Sequence, residues 1–122
     1  MKLRIKGNSI RYRLTKTDID TFAQEGVVEE RTEIGPSLFI YSLQRSDEST
    51  LSAMLENNKI TIYMPEAMAN EWINTERVGY DHHISLPSGN KLYLLLEKDF
   101  KCLDETIEDQ SDNYENPLAA KK

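Results

Sequence analysis

A chain of 122 residues with a net charge of −6 is the size of one domain, able to bury about two-thirds of the surface its unfolded form exposes. No stretch approaches the roughly 20 apolar residues of a membrane-spanning helix. The opening Met1-Lys2-Leu3-Arg4-Ile5-Lys6 has no apolar run of the kind a signal peptide needs, so a cytoplasmic protein is expected. The single cysteine, Cys102, excludes an intrachain disulfide framework and fits a reducing compartment, and the acid excess argues against non-specific binding to nucleic acid.

In chain order, Lys2–Lys6 and Ser9–Leu14 alternate with period two around Gly7-Asn8, which reads as a β-hairpin. A two-residue loop sets Ile5 across from Ile10 and Leu3 across from Tyr12 on one face. The other face then receives Lys2, Arg4, Lys6, Arg11 and Arg13. Thr15 is a candidate N-cap with Asp18 three residues on, and Gly26 a candidate stop, so the spacing predicts a helix over Lys16–Gln24. Val27–Ile34 is a charged strand candidate. Gly35-Pro36-Ser37 turns the chain into Leu38–Leu43, a run of high β-propensity, and Gln44–Ser49 reads as a loop.

Thr50–Leu55 and Lys59–Met64 flank Asn57-Asn58 as a second hairpin. Pro65 is expected at the first position of a helix that fades by Asn74-Thr75. The chain returns as His82–Leu86, turns through Pro87-Ser88-Gly89-Asn90, and enters Lys91–Leu103. That stretch holds the one continuous apolar run, Leu92 to Leu96, and is expected as a central strand whose partner is His82–Leu86.

The sum is an α+β domain over residues 1–103. It should carry a mostly antiparallel, strongly curved sheet or small open barrel of six to seven short strands, with two short helices. No internal repeat is evident. Residues 104–122 read as an acidic C-terminal tail, partly or wholly mobile. The charges are segregated along the chain. Residues 1–17 hold Lys2, Arg4, Lys6, Arg11, Arg13 and Lys16 with no acid, whereas 104–115 hold Asp104, Glu105, Glu108, Asp109, Asp112 and Glu115 with no base.

MKLRIKGNSIRYRLT at the start, LLLEKDFKCLDE near the end and the acidic run closing on Glu115-Asn116-Pro117 resemble a family of short uncharacterised bacterial proteins described as a domain of unknown function. The resemblance runs along the whole chain and implies a bacterial cytoplasmic protein, with no catalytic or ligand residues to carry over.

Lys2, Arg4, Lys6, Arg11 and Arg13 are the leading candidate ligand-binding residues. Like charges facing one another on a sheet repel, so such a face needs solvent, acidic neighbours or an anionic ligand. Glu29, Glu30 or Glu33 from the next strand, or the acidic tail, could supply the neighbours. Arg11 and Arg13 offer forked donors suited to phosphate or carboxylate. Glu97 and Asp99 are candidate metal ligands, since oxygen donors at a strand exit suit a divalent cation. His82 and His83, being adjacent on a strand, face opposite sides and are poorly placed to chelate one ion. Cys102 reads as an inert or mildly reactive thiol.

The expected function is a small non-enzymatic binding or interaction module offering a basic sheet face to an anionic small molecule or an acidic protein. No nucleic acid, membrane or cofactor is implied. One alternative is a metal-assisted enzyme on a phosphorylated substrate using Arg11, Arg13, Glu97 and Asp99. Another is a self-associating structural protein joined through Val27–Ile34.

Overall fold

A computed structural model describes residues 1–99. Its first hairpin is β1 (Lys2–Lys6) and β2 (Ser9–Leu14), in the expected register: Leu3 opposite Tyr12, Arg4 opposite Arg11, Ile5 opposite Ile10. Helix α1 (Lys16–Glu25) begins at Thr15, whose hydroxyl accepts from the Asp18 amide while the Asp18 carboxylate accepts from the Thr15 amide, the reciprocal cap that the spacing suggested. It ends at Gly26, whose φ of 78° is the left-handed value that favours glycine. Strands β3 (Val27–Ile34) and β4 (Ser37–Ser46) form the next hairpin, then β5 (Ser52–Glu56) and β6 (Lys59–Pro65). At the β5–β6 turn Asn57 and Asn58 both take positive φ, 53° and 62°, as a two-residue turn with two left-handed positions requires. Helix α2 (Glu66–Asn74) and the hairpin β7 (Gly79–Ser85) and β8 (Lys91–Lys98) complete the described chain.

The expected architecture needs correcting in three respects. There are eight strands among the described residues, in two four-stranded sheets ordered β1-β2-β8-β7 and β3-β4-β6-β5. Neither is a single curved sheet or a barrel. Both are mixed: β2 runs parallel to β8, and β4 parallel to β6, at the centre of each sheet. Local alternation identifies hairpins well, but these central pairings join strands far apart in the chain, which alternation cannot encode. Pro65 also differs from its expected place: it ends β6 and precedes α2, with φ −54° and ψ 143°, the extended ψ of a residue just outside a helix.

The third correction is that the chain does contain an internal repeat. Hairpin, helix, hairpin occurs twice, as β1-β2-α1-β3-β4 and β5-β6-α2-β7-β8. Each helix carries the chain from one sheet to the other, so the first hairpin of one unit pairs with the second hairpin of the other. Residues 50 apart in the sequence are equivalent from Lys2–Glu25 to Ser52–Thr75, and only Asn8/Asn58 and Ile10/Ile60 are identical there. What repeats is apolar pattern, as in Phe22 and Trp72, both fully buried. Identity is too low to reveal it in the sequence.

The core lies between the sheets and under the helices. Tyr12, Leu14, Leu94 and Leu96 come from the first sheet, Val28, Leu43, Ile60, Ile62 and Met64 from the second, and Ile19, Phe22, Ala69 and Trp72 from the helices. Tyr12 links the sheets by donating from its buried hydroxyl to Ser42 O at 3.0 Å, which satisfies a polar group that would be costly to bury alone. With these inner residues settled, period two places every second residue of β1 and β2 on the outer face.

The basic face and the β8 exit as a candidate site

The outer face of the first sheet carries all five candidate cations. Lys2 lies opposite Arg13, Arg4 opposite Arg11, and Lys6 opposite Ser9. The next column belongs to β8, where Arg13 is level with Glu97, Arg11 with Leu95 and Ser9 with Tyr93. The basic hairpin therefore meets the exit of the central strand. Arg11 Nε and Nη2 both donate to Glu97 Oε1, at 2.9 and 2.7 Å. Arg13 Nε sits 3.8 Å from the same oxygen, close enough for charge attraction but too far for a hydrogen bond, and this buried nitrogen has no hydrogen-bond partner among the described residues. Lys2 Nζ lies 3.3 Å from Asp99 Oδ2.

These contacts redistribute the roles expected of the candidates. Glu97 and Asp99 stand as counterions to arginine and lysine, and among the described residues no group of three or more His, Cys, Asp or Glu could hold a metal ion. The acids of the 104–115 run lie outside the described residues, as do Cys102 and the whole expected tail. The glutamates of β3 do not serve the basic face, because β3 belongs to the other sheet. Glu29 pairs instead with Arg31 at 2.9 Å and Lys59 at 3.5 Å, and these cations hold its carboxyl below the ordinary glutamate value. Glu30 pairs with the Met1 ammonium at 2.8 Å. β3 is an edge strand of its sheet, with Arg31–Ile34 exposed.

Arg4 and Lys6 are exposed and have no carboxylate within ion-pair distance among the described residues. With Arg11 they line a depression of about 180 Å3, together with Ser9, Tyr93 and Leu95. Sequence reasoning missed Tyr93 and Leu95 as site residues. Their signal was present in the continuous run Leu92–Leu96: Leu94 and Leu96 fill the core, which leaves the alternate pair on the outer face. His82 and His83 do face opposite ways; His83 packs its ring against Tyr93 at 4.6 Å between centroids. Tyr93 donates its hydroxyl to Asp81 Oδ2 at 3.1 Å. Partial burial, that hydrogen bond and the nearby Asp81 and Glu97 charges raise its pKa above the ordinary tyrosine value. Lys98 points to the opposite side from Glu97. It is 5% exposed and donates to Thr75 O at 2.9 Å, and burial lowers its pKa below that of a free lysine.

A sandwich of two mixed sheets with a cationic outer face defines a class of object without defining an activity. The chain belongs to the family of unknown function DUF7009, whose family model matches residues 1–118. No curated protein matches the chain, and no solved structure matches it.

Proposed function

We propose that this protein is a non-enzymatic binding module whose ligand is a small anion held on the outer face of the first sheet. One observation carries the reading: Arg4 and Lys6 border a depression with Arg11 directly across from Arg4, while Glu97 is already occupied by Arg11. Facing like charges cost stability on a strand pair, and an anion in the depression would remove that cost. Arginine's planar fork suits phosphate or carboxylate, with lysine as an added point charge. A concave depression favours a small molecule over a flat protein surface.

Isothermal titration with inorganic pyrophosphate tests it. Saturable binding is expected, weakened at least fivefold by Arg4→Ala and by Lys6→Ala, and weakened further by added salt. Absence of saturable binding to the unsubstituted protein would contradict the proposal.

A further inference from the structure

The depression is lined unevenly across three strands: Arg4 and Lys6 come from β1, Arg11 from the middle strand β2, and Tyr93 and Leu95 from β8. Its volume is about 180 Å3. A lone phosphate satisfied by the cations would leave the tyrosine ring and the leucine uncovered.

The ring is held in place before any ligand arrives. β7 and β2 flank β8 on opposite sides. The His83 ring, level with Tyr93 on β7, therefore supports one side of Tyr93, and the depression adjoins the other. The hydroxyl is tethered to Asp81. A ring fixed in this way offers a stacking face at little entropic cost, and aromatic stacking adds to affinity beyond simple area. Net negative charge argues against a long polyanion.

Resting on the anion-binding reading above, we infer that the ligand is a phosphate monoester bearing a planar ring, of the kind a nucleoside monophosphate presents. The phosphate lies toward Arg4, Lys6 and Arg11, and the ring lies against Tyr93 and Leu95. Arg11 reaches both parts of the site because it is level with Leu95 on β8 and opposite Arg4 on β1.

Titration of the full chain with methyl phosphate and phenyl phosphate at pH 8 separates the two halves of the claim, since monoesters with a second pKa near 6 are then both dianions. Phenyl phosphate is expected to bind about fivefold or more tighter than methyl phosphate, the lower end of what a single stacked ring contributes. That ratio should collapse toward one in Tyr93→Ala and Tyr93→Leu but persist in Tyr93→Phe, which keeps the ring and loses only the tether. Adenosine monophosphate should follow phenyl phosphate. Equal binding of the two esters, or a preference that survives Tyr93→Leu, overturns the ring inference and leaves the anion face standing. Failure of both esters to bind overturns the anion face and the ring inference together.

Discussion

Arg4 and Arg11 face each other across one hairpin, yet they have different physical standing. Arg11 is two-thirds buried in its side chain and is hydrogen-bonded twice to Glu97. Removing it takes both hydrogen bonds from a largely buried carboxylate and leaves it only the more distant Arg13, so Arg11→Ala should cost about 1 kcal/mol of stability in chemical denaturation. Among the described residues Arg4 has no such partner. Arg4→Ala should change stability by less than about 0.5 kcal/mol, or raise it slightly, because it relieves a like-charge pair. A residue whose loss costs anion affinity but no stability is the mark of a binding group, and comparing the two variants reads that difference directly. The sequence made this face legible because charge alternates so regularly in β1 and β2. It did not show which cation was spoken for, since Glu97 lies 86 residues from Arg11.

The tyrosines supply a second test at this scale. Tyr80 is pushed up to about 12, first by burial and then by its hydrogen bond to Glu71, and burial raises Tyr12 well beyond that of a free tyrosine. A phenol whose folded pKa lies above its unfolded value holds its proton longer in the folded state. The stability it contributes is complete below about pH 10 and is lost as pH rises through the folded pKa. Unfolding free energy should therefore fall between about pH 10 and 12. Absorbance titration at alkaline pH should show Tyr80 ionising only in that upper range or upon unfolding, and Tyr80→Phe should flatten part of the decline.

Among the elements, β8 does the most to organise the molecule. It is parallel to β2 and antiparallel to β7, so its inner residues fill the core while its outer ones adjoin the basic hairpin. The apolar run made its central position legible, and the alternation in β1 and β2 did the same for their hairpin. The parallel partnership of β2 with β8 was not legible, because nothing local in either strand names a partner some 80 residues away. β7 seats against β8 through Gly79, where an added Cβ would lie 2.0 Å from Leu96 O. No rotamer relieves a clash with backbone, so a glycine is needed where the strands approach this closely. Gly79→Ala should destabilise the fold by about 1–3 kcal/mol. Because Gly79 is level with Glu97, the same change should disturb the Arg11–Glu97 pair and weaken anion binding as well, both measurable on one sample by denaturation and titration.

At the scale of the whole molecule, the two hairpin–helix–hairpin units exchange hairpins to build both sheets, so neither sheet is complete within one unit. The equivalent outer faces have diverged. Arg4 and Arg11 in the first unit correspond to Met54 and Thr61 in the second, and Thr61 is buried against Ser42, with 3.3 Å between hydroxyls. A cationic face on only one of two equivalent sheets is what selection for binding on that side would leave. Residues 104–115 bring six further acids to the chain. Deleting residues 104–122 should tighten pyrophosphate binding at low salt, with the gain vanishing near 0.5 M salt as screening shortens to a few ångströms.

An amide chemical-shift titration of the full chain with pyrophosphate locates the bound anion residue by residue. Binding on the first sheet's outer face predicts saturable shifts concentrated in Lys2–Lys6, Ser9–Arg13 and Tyr93–Glu97, with the second sheet unmoved and the response lost in Arg4→Ala. Shifts centred on β3–β6, or none that saturate, would contradict it.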